Sequence, residues 1–260
     1  MSLDKKKRKC IDQFFAPVSK RPCFQIPKTS QREVLAFAEN GSSNLKLEET
    51  IVPGLTLLQN FITPNEEEKI LKYLNDPLQC TWRTDLSRRT MHFGGTYCLM
   101  PPKANPSSKV QPQILQAPPM PEELMWLIQR MVDAHVLPDD QRPQYCIVNE
   151  YRGNLGISAH TENFQFAEPV VGLSLLSACH IRFHELVKPY DGSVRSGKAS
   201  KAEKTGLVED VLLPGRSLLV MRGESRWKWQ HEIVRSAKGR GPNWKRISLT
   251  FRYKPDDKIK

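Results

Sequence analysis

Arg246-Ile-Ser-Leu-Thr-Phe-Arg252 restricts what this chain can fold into more than any other segment. Its two arginines stand six positions apart, so on one continuous strand their side chains share a face. Arginine is a rigid planar fork that grips a carboxylate through two parallel hydrogen bonds. Two of them turned inward need anionic partners, because burying an unpaired charge is costly. Internal Asp or Glu side chains would satisfy that need, but a small dicarboxylate explains the pair better.

Fifteen residues before Arg246 stands His231, at the end of Pro214-Gly-Arg-Ser-Leu-Leu-Val-Met-Arg-Gly-Glu-Ser-Arg-Trp-Lys-Trp-Gln-His231. Further upstream are Asn149-Glu-Tyr151 and His160-Thr-Glu162. A His-x-acid pair on one strand with a distant histidine makes a facial triad, the arrangement of non-haem Fe(II) oxygenases. Alone, His160-Thr-Glu162 reads as a solvent-facing strand. Taken with His231 and the paired arginines, it reads as a metal site beside a dicarboxylate site.

These segments, with Leu218-Leu-Val-Met-Arg-Gly223, Trp229-Gln-His231 and Arg88-Arg-Thr-Met-His-Phe-Gly94, resemble the AlkB family of Fe(II)- and 2-oxoglutarate-dependent dioxygenases. The resemblance keeps the family's order over about 170 residues. It implies that His160, Glu162 and His231 ligate Fe(II), and that Arg246 binds the distal carboxylate of 2-oxoglutarate with help from Asn149 and Tyr151. Arg252 would meet the carboxylate end that chelates the metal. It also implies O2-driven oxidation of a substrate C–H bond, with formaldehyde released when that carbon is an N-methyl group. Arg88, Arg89, His92 and Phe93 fall in the family's substrate-lid segment. They combine charge and aromatic faces, as gripping an unstacked base requires.

Three positions depart from the family's pattern. Glu162 stands where aspartate is usual; its extra methylene makes the carboxylate retreat or rotate to keep a metal–oxygen bond near about 2 Å. Phe164 replaces an acidic residue of several DNA-repair members, removing a polar contact to a methylated base and offering a stacking face instead. Ser248 stands where a strand asparagine often supports the cosubstrate. The phrase Leu213 to Arg226 is similar to the branch of the family that hydroxylates tRNA wobble bases.

The net charge of +11 is unevenly spread: residues 1–32 hold nine Lys or Arg against two Asp, a net +7, which leaves +4 for the remainder. Lys5, Lys6, Lys7, Arg8 and Lys9 form a basic run of the kind used for nuclear import or nucleic-acid contact, with Lys20-Arg21 as a second cluster. Within this segment Ile11-Asp-Gln-Phe-Phe15 resembles the motif that binds the PCNA sliding clamp. A short turn there would gather Ile11, Phe14 and Phe15 into one apolar plug, although Arg8 occupies the motif's opening glutamine position. Six cysteines without CxxC spacing argue for reduced thiols rather than zinc or a disulfide framework. No apolar run is long enough to span a membrane, and the charged amino terminus does not read as a secretory signal.

Thr63-Pro-Asn-Glu66 predicts a capped helix running to about Asn75, and Pro121 opens a second amphipathic helix. Strands are expected over 145–151, 170–176 and 180–184, with two more around the Pro214-Gly215 turn. His180 and His184 would share a strand face away from the metal. Residues 101–121 and 188–205 read as long loops. The expected fold is mainly β with flanking helices, a double-stranded β-helix (jelly roll) over residues 46–257, behind a disordered basic tail over 1–45. The expected protein is a monomeric nuclear dioxygenase that acts on alkylated nucleic acid, DNA first and RNA second, with PCNA as a partner of the tail. Base hydroxylation or demethylation of RNA or tRNA remains open, as does a non-catalytic clamp- or nucleic-acid-binding protein.

Overall fold

The computed structural model describes residues 45–99, 113–190 and 202–255. The basic run, the clamp-like motif and parts of both long loops lie outside the described residues. Helix α1 (Pro64–Asn75) starts where the sequence predicts. The Thr63 hydroxyl accepts from the Glu66 N–H at 3.3 Å, and the Glu66 carboxylate accepts from the Thr63 N–H at 2.8 Å. Arg130 of α2 (Glu122–Asp133) pairs with that carboxylate and, with lesser help from the cap, holds it down at about 2. Apolar residues at helical spacing, Ile70 and Leu74 on α1 and Leu124, Leu127, Ile128 and Met131 on α2, bury one face of each helix.

Two antiparallel sheets carry the rest. The larger contains β1 (Lys46–Glu49), β2 (Leu55–Gln59), β3 (Arg89–Phe93), β6 (Tyr145–Arg152), β8 (Val170–Leu176), β11 (Ser217–Met221) and β13 (Lys245–Arg252), in the order β1-β2-β11-β8-β13-β6-β3. The smaller is β10 (Lys204–Leu213), β9 (Cys179–Leu186), β12 (Trp229–Ile233) and β7 (Ile157–His160), in that order. A third pairing joins β4 (Thr96–Leu99) to β5 (Gln113–Gln116), and a short helix α3 (Gly223–Trp227) precedes β12. Two loop expectations are thereby corrected. Gln113–Gln116 of the proline-rich stretch pairs as a strand, and Lys204 and Thr205 already belong to β10. Local composition favours loops at both places, but a partner strand satisfies the backbone there.

The larger sheet separates two cores, and the period-two alternation of its strands assigns each side chain to one of them. On β13, Ile247, Leu249 and Phe251 join the helix-side core; Leu173 and Leu175 of β8, Val148 of β6 and Leu218 of β11 do the same. The opposite face meets the smaller sheet through Leu57, Tyr151, Leu219 and Met221, against Ile181, Phe183, Trp229 and Ile233. This is the expected jelly roll, with helices covering one sheet. Among the described residues no helix is long and apolar enough to cross a membrane, and Cys80, Cys146 and Cys179 are buried free thiols.

Glu67 of α1 ties two turns of this sandwich together. Its carboxylate accepts from the Leu176 N–H at 2.7 Å and from the Arg216 guanidinium at 3.2 Å. Leu176 and Arg216 both sit in the left-handed region, at φ 68° and 63°. That conformation disfavours ordinary side chains and persists only when the surroundings enforce it. Gly215 lets the turns touch, since a Cβ there would lie 2.3 Å from the Leu176 carbonyl oxygen. Glu67→Ala is therefore expected to lower the unfolding free energy by about 1–3 kcal/mol, and Glu67→Gln by less. Urea denaturation checks this, and equal midpoints for wild type and both variants would remove Glu67 from the account.

Candidate active site

The site opens between the two sheets, at the end where the apolar packing gives way to polar side chains. On the inward face of β13 the alternation brings Arg246, Ser248, Thr250 and Arg252 to a pocket wall. Asn149 and Tyr151 of β6 stand beside them, in register with Ser248 and Arg246. Opposite lies β7, reached through a turn that closes on β12: a Cβ on Gly156 would fall 2.1 Å from the Ile233 carbonyl oxygen. His160 and His231 are direct cross-strand partners, with ring centroids 4.4 Å apart. Glu162 follows two residues later, and its Oε1 lies 3.5 Å from His231 Nε2.

His160, Glu162 and His231 thus offer ligand atoms that all lie within 4.8 Å of one another. Their protonation suits a metal. His160 Nδ1 lies 2.8 Å from the Ser158 carbonyl, which fixes the proton there and leaves Nε2 free to coordinate. Enclosure, reinforced by His231 alongside, pushes the His160 pKa down to about 4, so the ring is neutral. Burial alone would push the Glu162 carboxyl up, but the Arg252 guanidinium and His231 hold it well below the usual carboxylate range. The neutral His160 ring, the His231 imidazole and the Glu162 carboxylate on one side of a pocket form the donor set that Fe(II) takes with open positions.

The cosubstrate end is equally specific. Arg246 is 4% exposed; its Nη2 donates to Ser174 Oγ at 2.9 Å, and its guanidinium lies 5.4 Å from the Tyr151 ring centroid. Its Nε is buried without a hydrogen-bond partner among the described residues. A buried guanidinium donor facing a pocket calls for an acceptor, and a carboxylate of 2-oxoglutarate supplies one. Arg252 stands differently: its Nε donates to Glu162 Oε2 at 2.6 Å, so it meets the metal-site carboxylate directly.

The substrate-lid segment divides by strand alternation. Arg88 and His92 fall on the pocket side of the sheet. Arg88 Nε donates to Asn149 Oδ1 at 2.8 Å, and His92 packs edge-on against Tyr97. Arg89 and Phe93 fall on the helix side. Arg89 pairs with Glu150 at 2.7 Å and stacks on Trp82, while Phe93 is buried in the helix-side core near Tyr73. Their expected placement beside a bound base is corrected accordingly, since a strand cannot present adjacent residues to one face. Phe164 is 6% exposed, with its ring 6.3 Å from that of Tyr190. His180 is exposed, and His184 Nε2 meets Glu232 at 2.8 Å, both away from the triad.

Ser174 and Arg226 escaped the sequence reading. Ser174 had a signal: with Gly172 it places small and polar residues on one face of an otherwise apolar strand. Arg226 sits beside Trp227 and close to Trp229 in the sequence, and only the fold shows it buried.

Comparison with known proteins accords with this geometry. Residues 54–252 match the family described as the 2OG-Fe(II) oxygenase superfamily. An uncharacterised protein, L905, of Acanthamoeba polyphaga mimivirus is 28% identical over 80% of this chain and 88% of its own length. The RNA demethylase ALKBH9B of Arabidopsis thaliana is 30% identical over 68% of this chain, which spans about a third (32%) of that relative. The solved structure of OsALKBH1 superposes with a TM-score of 0.51 at 18% identity, covering 78% of this chain and 100% of that one, and so shows the shared fold. The chain belongs to the 2OG-Fe(II) oxygenase superfamily, with AlkB homologues among its relatives, and is an Fe(II)- and 2-oxoglutarate-dependent dioxygenase that uses O2.

Proposed function

We propose that this dioxygenase oxidatively removes alkyl groups from nucleobases, with an N-methyl carbon as the oxidised atom. The observation that carries the chemistry is the convergence of the His160–Glu162–His231 triad with the unpartnered donor of Arg246 in one pocket. With Fe(II), 2-oxoglutarate and O2 bound, the site supplies oxidation of a nearby C–H bond; hydroxylation of an N-methyl group gives a product that breaks down to formaldehyde and the amine.

The chain's residues have separable tasks. The triad would hold the metal. Arg246 would anchor the distal carboxylate of the cosubstrate, with Ser174 fixing its guanidinium and Tyr151 covering it. Asn149 accepts from Arg88 through its oxygen, which leaves its NH2 to donate elsewhere. Arg252 keeps Glu162 ionised. Burial first, then the nearby arginines, push the His92 pKa down to about 4, and its Nδ1 lacks a partner among the described residues. A neutral ring of this kind suits the edge or face of a base better than it suits a phosphate.

Nucleic acid is favoured by these pocket-side residues and by the +7 of residues 1–32, and the relative named as an RNA demethylase supports RNA beside DNA. The basic run favours a nuclear location, and Ile11, Phe14 and Phe15 favour recruitment by the PCNA clamp, both within the same proposal.

Three outcomes test the reading. With Fe(II), ascorbate and 2-oxoglutarate, DNA and RNA oligonucleotides carrying one N-methylated base should yield succinate and formaldehyde together, and His231→Ala should lose both. Succinate with a one-oxygen mass gain on RNA and no formaldehyde would replace demethylation by stable hydroxylation. Arg246→Lys should raise the KM for 2-oxoglutarate by about 10- to 100-fold, the loss of a charge-assisted fork, while the KM for the oligonucleotide holds. Deleting residues 1–32 should abolish nuclear replication foci and leave turnover on a short oligonucleotide intact; foci that persist would sink the clamp and import roles.

A further inference from the structure

We propose that Arg226 is a positioning residue of the metal site, fixing the main chain that carries Glu162 against the segment that carries His231. Arg226 is 1% exposed and lies in α3, five residues before His231. Its two terminal nitrogens are spent on main-chain carbonyls. Nη1 donates to the Glu162 carbonyl at 3.1 Å, and Nη2 donates to the Asn163 and Phe166 carbonyls at 2.7 and 2.9 Å. The Trp227 ring stacks on the guanidinium at 3.9 Å. A second tie runs beside it, from the Gly223 N–H to the Glu168 carboxylate.

The reason for so costly a residue lies in the chain path. β7 ends at His160 and β8 begins at Val170, so residues 161–169 have no strand ladder to hold their carbonyls. Glu162 is the metal ligand in that gap, whereas His160 and His231 are fixed by pairing with each other. A glutamate also has one more rotatable bond than an aspartate, so the place of its carboxylate depends more on a fixed main chain. Arg252 restrains the carboxylate end, and Arg226 restrains the backbone end and references it to β12. A planar fork with several fixed donors can hold three carbonyls at once; a lysine at this depth cannot reproduce that geometry.

The test uses Mn(II) as an oxygen-stable probe, titrated into the full chain and followed by the electron paramagnetic resonance of free Mn(II), with urea midpoints of the metal-free proteins alongside. Arg240 provides a matched control, because it too donates to three carbonyls, those of Gly153, Leu155 and Val234, but clamps the turn before β7. Arg226→Lys should weaken Mn(II) binding by about 10- to 100-fold, the range for outer-sphere partners of metal ligands. Arg240→Lys should leave it near the wild-type value even where the two urea midpoints fall equally. Mn(II) affinity lost equally in both variants, or in neither, overturns the proposal. Should Arg226→Lys fail to fold, Trp227→Leu removes the stacking surface and keeps the guanidinium; a smaller weakening in the same direction is expected, and unchanged affinity overturns the proposal. The inference rests on the triad as the metal site. Wild-type chain whose Mn(II) binding is absent, or is insensitive to His231→Ala, removes that reading and this inference together, whereas normal wild-type binding with an unaffected Arg226→Lys removes this inference alone.

Discussion

The seven-stranded sheet must satisfy two unlike environments at once, and the rest of the molecule follows from how it does so. Its helix side is apolar throughout the centre, and its other side changes along the strands from an apolar contact with the smaller sheet to a pocket where charged and apolar side chains meet. A strand serves both because successive side chains point to opposite faces. On β13 each residue between Arg246 and Arg252 takes one role or the other: the odd positions build the core and the even positions build the site. A one-residue slip of register would exchange those sets, driving two arginines into the helix-side core and exposing Ile247, Leu249 and Phe251 to the pocket. Stability and the cosubstrate site therefore depend on the same register.

The buried carboxylates are tolerated because each is answered by a cation. Glu150 is buried on the helix side of β6; burial pushes its carboxyl up, yet Arg89, Arg152 and Lys245 hold it down at about 2. Glu162 is answered on the pocket side by Arg252 and His231. Removing one member of such a group leaves the other as an uncompensated buried charge, which is more destabilising than the pair is stabilising. This explains why Glu162 persists as a charge in a site bordered by an apolar core. It also explains why Arg89 belongs to the fold rather than to the substrate: Glu150 would otherwise lose one of its cations.

Much of this was legible because the informative segments are periodic. The spacing of Arg246 and Arg252 already placed both on one face, and the Thr63–Glu66 capping box placed α1. The facial triad was legible as residue types at characteristic intervals, but its closure depends on β7 pairing with β12 so that His160 and His231 become neighbours across 71 positions of sequence. Short-range rules were weaker where the answer lay in a partner strand. Gln113–Gln116 and Lys204 have loop-like surroundings, and pairing with β4 and β9 decides their conformation. Arg88, Arg89, His92 and Phe93 were read as one group because they are close in sequence; β3 is an extended strand, and closeness in sequence there means opposite faces.

The departures at Glu162 and Phe164 belong together structurally. Both lie in the segment between β7 and β8, which the sheets do not pair and which Arg226 holds from below through the carbonyls of Glu162, Asn163 and Phe166. In that segment Phe164 is buried, and the ring of Phe166 meets Tyr145, which itself meets Tyr97 and, through it, His92. An acid at position 164 would bring another negative charge near Glu162 in a low-dielectric site, where like charges oppose ionisation of both. A phenylalanine leaves Glu162 as the negative charge that Arg252 and the metal site share. The apolar residue thus favours full ionisation of a ligand whose longer side chain already needs two arginines to place it.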